Sequence, residues 1–359
     1  MNILFITGSL FAGHDGVADY TLRLAAALRR RGIGVRVLSW QEVTLRSPKI
    51  TAESLCIPAH LPVRAKLAHA KHFLSGFSPD VISLQFVPYA FDPRGFPVDL
   101  ARQLAPLIGS IPLHIFVHEL WVLPFMRASL PYRILGPTAQ KAVILQTLRE
   151  LHPKRIHTSL PLYHQLLQKE GLPVGQLLPL PGNIPLYSLS QAPHPEHADR
   201  NVRHLGFFGS IFDSAPLDSF CQQLVELQLQ TQLSLTLTSA GNLSNTTIRR
   251  WKKLTRRFGH VIHFERLGHL AQREASYYLQ SLDFLVSAYS PTFWMKSGTV
   301  AAAREFGKPV VLISPPELSQ NSPLPQGLYT QLTPELLKTP PTYAPYAPVE
   351  TLADKFLAD

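Results

Sequence analysis

Cysteine is nearly absent. Cys56 and Cys221 are the only two among 359 residues and fall in different halves of the chain, which excludes a disulfide scaffold and fits a reducing compartment. Charged residues are also scarce, at 16% against 45% hydrophobic, so the chain is not of the polar, charge-rich kind that stays disordered. Long apolar runs are missing, since no stretch approaches the ~20 residues of a membrane span. The opening MNILFITGSL has no basic region ahead of its apolar run and does not read as a secretory signal. These absences lead us to expect a soluble, cytoplasmic protein. Its length exceeds what one hydrophobic core usually supports, so two domains are expected.

What is present is alternation. A β-branched run at 3–7 meets a glycine-rich loop, Gly8-Ser-Leu-Phe-Ala-Gly13-His-Asp-Gly16, and then an amphipathic stretch from Val17 to Arg31; Gly32 and Gly34 close that stretch before a new apolar run at 35–38. This is a strand, loop, helix and strand, which predicts a right-handed parallel unit. Helices are expected at 63–76, 98–108, 138–151 and 161–170, and strands at 80–86, 113–118, 155–158 and 176–179. Between 181 and 203 prolines and polar residues replace the periodic pattern. A second run of the same kind follows, with strands at 203–209, 233–238, 261–264, 283–288 and 309–313, and helices at 217–228, 245–258, 272–282 and 298–306. The fold class is α/β, with two doubly wound domains. The boundaries read as a first domain at 1–185, a linker at 186–202, a second domain at 203–314 and a proline-rich tail at 315–359. The tail is expected to be extended rather than core-forming, with a short helix at 349–357, and either to wrap back across the first domain or to be loosely ordered.

Two segments offer chemistry. The loop ending at Gly16 stands at the carboxyl end of a strand and the start of a helix, where the amides from Val17 onward suit an anion. It matches neither G-x-G-x-x-G nor a Walker loop, and glycines there serve equally as turn-makers. The second segment is Lys296-Ser297-Gly298-Thr299, which brings a cation, two hydroxyls and unpaired backbone amides to a helix start, as a diphosphate requires. The alternative is an N-cap, Ser297 or Thr299, beside a solvent-facing lysine. Among the 15 histidines, His69, His72, His260 and His263 read as surface or packing residues, and none shows a convincing metal spacing. His118 differs because it closes a central strand at its carboxyl end.

The net charge is +10, from 34 basic and 24 acidic residues, and suits nucleic acid, an anionic membrane or a phosphorylated small molecule. The runs Arg29-Arg30-Arg31 and Arg249 to Arg257 are ordinary solvated helix faces. A nucleic-acid role has no supporting aromatics or module. An anionic membrane surface fits better, with Trp251, Leu254 and Phe258 beside the second run to assist contact.

The first 40 residues resemble the opening of GT-B glycosyltransferases of the family-4 type. Arg203-His-Leu-Gly-Phe-Phe-Gly209, Phe264-Glu-Arg-Leu-Gly268-His-Leu270, the run from Tyr278 through Asp283 to Ser287, and Gly307-Lys-Pro309-Val-Val are similar to that family's donor-domain landmarks, in order. The resemblance covers roughly residues 1–313. It implies two Rossmann-like domains facing a cleft, with a nucleotide sugar bound mainly by the second and an acceptor by the first. It places Gly16, with Gly13 in the same loop, against the donor phosphates, Gly268 and Leu270 beside the base, and Ser297, Gly298 and Thr299 at the diphosphate. It matches His118 to a histidine that contacts the donor sugar.

The departures are specific. The family usually carries two glutamates seven residues apart before the G-x-P-V turn, and Trp294 and Ala302 stand there instead. The arginine and lysine expected after the first donor-domain strand are also missing, because Gly209 is followed by Ser210-Ile-Phe-Asp213. Lys296 is the candidate that replaces their charge, and His118, Glu119 and Asp15 are the candidates for orienting the acceptor. No Asp-x-Asp motif is present, so no metal and no cofactor is expected beyond the nucleotide-sugar donor as co-substrate. The sequence thus points to a retaining transferase acting on a saccharide or lipid-linked acceptor, at the inner membrane face in the lipid case. The alternatives are a binding protein without turnover and a sugar-nucleotide epimerase.

Overall fold

The computed structural model describes residues 1–11, 15–122, 136–189, 201–315, 324–345 and 348–358. Of the expected site residues, Gly13 lies outside them. The chain forms two compact units, Met1–Pro179 with Val349–Asp359, and Leu180–Pro348.

The first unit begins with β1 (Asn2–Thr7), whose Ile3, Leu4, Phe5 and Ile6 are all fully buried. A parallel strand covered on both faces reads as an unbroken apolar run, which is why this segment was legible. The chain continues through α1 (Gly16–Arg30), β2 (Gly34–Glu42), β3 (Lys49–Ile50), β4 (Ser54–Pro58), α2 (Val63–Phe73), β5 (Val81–Phe86), α3 (Pro88–Phe91) and α4 (Leu100–Ile108). It then adds β6 (Leu113–Val117), α5 (Gly136–Glu150), β7 (Arg155–Thr158), α6 (Pro161–Lys169) and β8 (Val174–Leu177). The strand order is β3-β4-β2-β1-β5-β6-β7-β8, parallel except for β3 against β4. Strand order therefore reverses between β1 and β5, and the carboxyl ends there form a crevice suited to ligands.

The second unit holds β9 (Val202–Phe208), α7 (Leu217–Thr231), β10 (Ser234–Ala240), α8 (Asn245–Phe258), β11 (Ile262–Gly268), α9 (Gln272–Ser281) and β12 (Phe284–Ser287). After a turn of 3-10 helix at Trp294–Lys296 come α10 (Gly298–Glu305), β13 (Val310–Leu312), β14 (Leu328–Tyr329) and α11 (Pro334–Lys338). The sheet is parallel throughout, ordered β11-β10-β9-β12-β13-β14, and reverses between β9 and β12.

Two expectations need correction and one alternative is decided. The segment after 314 is not merely extended: β14 pairs with β13, and Leu332 and Leu337 enter the core of the second unit. Of the two courses open to the end of the chain, the wrap back onto the first domain is the one found: α12 (Pro348–Ala358) belongs to the first unit, where Phe356 packs on Phe5 and Arg31 holds Glu350 and Asp354. Proline is compatible with both because it takes the first turn of α11 and of α12, where its missing N–H leaves no bond unmade. Finally, Trp251, Leu254 and Phe258 are buried on the core side of α8, so they cannot assist a membrane contact; only the basic outer face remains. No helix among the described residues is long and apolar enough to cross a membrane.

Candidate functional site

In the second unit, three glycines end three neighbouring strands. Gly209, Gly241 and Gly268 follow or close β9, β10 and β11 with φ of 83°, 106° and 69°. Such values are strained for side-chain-bearing residues. The Gly209 amide donates to Ala240 O and the Gly241 amide to Gly268 O. A Cβ on Gly241 would lie 2.9 Å from the Gly209 backbone, whereas one on Gly209 would meet only Thr299 Oγ1, at 3.8 Å. Bare backbone therefore faces the start of α10 across the reversal point.

Ser297 caps α10, its Oγ accepting from the Val300 amide at 3.2 Å, and it is buried. The capping role foreseen for this residue is thus occupied. Gly298 and Thr299 open the helix with first-turn amides that α-helical bonding leaves over. Gly298 is pressed against Asn183, whose Oδ1 is buried with no partner. The buried hydroxyls of Ser239, near the end of β10, and of Ser290, three residues past β12, also have none. Lys296 is half-buried one residue ahead of the cap. Leu270, half-buried between β11 and α9, packs on the core, and the α9 start is held by Glu274 accepting from the Ala271 amide. Phe212, which is 41% exposed, stands edge-on to Tyr289 across the same reversal. Gly241, Asn183, Ser290, Phe212 and Tyr289 carry no motif in the sequence; for Gly241, as for Gly209, a glycine one step past an apolar strand is the available signal.

The first unit assembles acids rather than cations. Asp15 is the N-cap of α1, with Oδ1 accepting from the Val17 amide at 2.9 Å, so that amide is not open to an anion as the sequence suggested. Burial raises the Asp15 carboxyl above its usual range, and the charges of Glu42 and Glu119 add to this, against the Val17 and Ala18 amides that lower it. Glu42, itself buried, is tied by Ser9 Oγ and the Leu10 amide. Gly16 is exposed at the helix start with open space around it. His118 follows β6; its ring is edge-on to Tyr20 at 4.7 Å and its Nε2 lies 3.0 Å from Gln85 Oε1. This concentration of carboxylates suits hydroxyl groups better than phosphates.

The positions of the absent glutamates are filled. Gly182 packs so tightly on Ala302 that an added Cβ would sit 2.5 Å from Ala302 Cα, and the Gly182 amide donates to the buried Glu305. Trp294 instead lies under the Arg304 guanidinium, 5.0 Å from the ring centroid. After β9, where arginine and lysine were missing, Asp213 accepts from Ser244 and Thr247 at the start of α8. Among the described residues, no group of three or more His, Cys, Asp or Glu side chains is arranged to hold a metal ion.

No protein-family model matches this chain, and no curated protein sequence does. Solved structures do match. The Anabaena protein HepE, in complex with UDP and glucose, is 14% identical over 87% of this chain and 80% of that one, with a TM-score of 0.55. An alpha-glucosyltransferase in complex with UDP is 12% identical over 87% and 80%, with a TM-score of 0.54. A putative UDP-N-acetylglucosamine 2-epimerase from Listeria monocytogenes is 12% identical over 100% and 95%, with a TM-score of 0.53. The two parallel-sheet units have the fold shared by GT-B glycosyltransferases and these epimerases.

Proposed function

We propose that this protein is a family-4-like glycosyltransferase. It moves a sugar from a nucleoside-diphosphate donor to a saccharide or lipid-linked acceptor, with retention and without a metal ion. One observation carries the reading: the bare backbone of Gly209, at the end of β9, faces the start of α10 at the reversal point of the second sheet. Similar structures were solved with UDP, which supports a nucleotide-sugar donor.

In this reading the second unit holds the diphosphate. The Gly298 and Thr299 amides and the Lys296 ammonium supply the positive charge that a leaving diphosphate needs as its bond to the anomeric carbon breaks. Phe212 offers an aromatic face and Gly268 close approach for the base. In the first unit, Asp15 and Glu119 accept hydrogen bonds from the acceptor hydroxyls and His118 contacts the sugar. A lipid-linked acceptor would draw the basic face of α8 toward anionic headgroups on the cytoplasmic side.

Calorimetry and transfer assays over a panel of UDP- and GDP-sugars test this. Lys296→Ala should weaken donor binding about tenfold to a hundredfold, the loss expected for a charge-assisted hydrogen bond. His118→Ala should lower turnover while donor binding holds. Unchanged behaviour in both variants overturns the site. The filled positions at Ala302 and Trp294 favour a second reading, a catalytically inactive nucleotide-sugar-binding paralogue, which binding without transfer or hydrolysis would establish. Conversion of the donor sugar without any acceptor would establish an epimerase instead.

A further inference from the structure

Five polar side chains form one hydrogen-bonded row inside the first unit. Ser83 and Gln85 alternate along β5, His114 lies on β6 and His157 on β7. Parallel register sets Ser83 opposite His114, and His157 opposite Phe116, two residues on from His114, so these side chains share one face of the sheet. His118 continues the same alternation just past β6. The links are His118 Nε2 to Gln85 Oε1 at 3.0 Å, and Gln85 Nε2 to Ser83 Oγ at 2.8 Å. Ser83 Oγ to His114 Nδ1 and His114 Nε2 to His157 Nδ1 are each 2.8 Å. Ser83, Gln85, His114 and His157 are all buried. The same face is closed by Tyr20 of α1, edge-on to His118, and by Phe356 of α12, edge-on to His114 at 4.9 Å.

Packing alone does not call for such a row, since each buried polar group must be satisfied and apolar side chains of similar size would fill the space at lower cost. Its polarity follows from the donor inventory. An amide oxygen only accepts, so His118 Nε2 carries the proton; the Gln85 amide then donates to Ser83, whose hydroxyl donates to His114 Nδ1. His114 is accordingly protonated on Nε2 and donates to His157 Nδ1. The opposite polarity requires the Gln85 amide to be turned over and every proton in the row to move with it.

We propose that Gln85, Ser83, His114 and His157 are positioning residues that hold His118 as its Nε2–H tautomer. Its Nδ1 is then the unprotonated, hydrogen-bond-accepting nitrogen of the ring. This rests on the assignment of His118 to the sugar-handling site made above. Gln85 also defines what the row does not do: a primary amide does not relay protons as an imidazole does, so the row transmits orientation rather than charge. The buried pair His114 and His157 anchors its far end.

The test reads the histidine tautomers directly, by nitrogen–proton correlation spectra of ¹⁵N-histidine-labelled full-length protein without ligand. The wild type should show His118 protonated on Nε2 and bare on Nδ1. Gln85→Leu and Ser83→Ala should each give mixed tautomers at His118. Their turnover should fall about tenfold to a hundredfold, with the donor KM within roughly twofold, as expected when a positioning partner is lost. Ser83→Ala is the smaller change and is read alone if Gln85→Leu does not fold. An Nδ1–H tautomer in the wild type overturns the proposal, and so does an unaltered His118 tautomer in Ser83→Ala. If the wild type transfers no sugar, the functional reading falls, while the spectra still decide whether the row sets the tautomer.

Discussion

Gly16→Ala separates what the fold needs from what a ligand needs. Gly16 is the first residue of α1, it is not among the residues with positive φ, and an added Cβ would meet nothing within 4 Å. Folding should therefore tolerate the methyl, and the unfolded chain loses freedom, which stabilises by about 0.4–1 kcal/mol. For a unit of this size that is a rise of roughly 1–4 °C in Tm. If the donor phosphate did approach the Gly16 backbone, as the family resemblance implies and the carboxylates of Asp15, Glu42 and Glu119 argue against, the same methyl would displace it, losing roughly 1–3 kcal/mol, or about fivefold to a hundredfold in affinity. Thermal unfolding without ligand and calorimetric titration with the donor found by the panel measure both. A raised Tm with unchanged affinity removes Gly16 from the site. A lowered Tm refutes the conformational reasoning itself.

Gly241→Ala should behave in the opposite way, because φ of 106° and a 2.9 Å approach to Gly209 combine backbone strain with overlap; a loss of roughly 2–4 kcal/mol is expected in urea unfolding. Glu350 is held below the usual carboxylate range by hydrogen bonds from Arg30 and Arg31. Its contribution is present above the unfolded value near 4.5 and is lost as pH falls through the lower folded value. Glu350→Gln should accordingly flatten the acid limb of the stability curve, by well under 1 kcal/mol and less at high salt. His114 is kept neutral by burial, with repulsion from His157 and His118 adding to it. The unfolded chain gains a proton below pH ~6.5 that the folded one refuses, so stability falls there by up to about 1.4 kcal/mol per pH unit. In His114→Gln the slope between pH 6.5 and 5 should be shallower by about that amount, read by denaturant unfolding across the range.

The two parallel sheets were readable because buried strands such as Ile3 to Thr7 and Val310 to Leu312 are apolar on both faces, and the helices between them keep a 3.6-residue period. Strand β3 escaped because the two exposed residues Lys49 and Ile50 carry no pattern. The contribution of residues after 314 escaped because proline density masked Leu328, Leu332 and Leu337, each spaced too widely to show a period. At the site, Lys296 to Thr299 was visible as a local cluster, whereas Gly209 and Gly241 acquire meaning only when two strands 32 residues apart are set side by side. The row to His118 was hidden for the same reason. Ser83, His114 and His157 each look like an isolated polar residue in an apolar strand, Gln85 looks like one of a polar group with Tyr89 and Asp92 that could line an acceptor or scaffold a loop, and only the register of β5, β6 and β7 aligns the four.

The position of α12 sets an order of events during synthesis. The face of the first sheet that bears Phe5 and His114 is covered by Phe356, which leaves the ribosome only after the whole second unit has been made. At about 5–20 residues per second the delay is on the order of ten to thirty seconds. Through that interval the nascent first unit shows an aromatic, histidine-lined surface to its surroundings. Chaperone occupancy on stalled chains should therefore persist past the end of β8 and drop once α12 emerges.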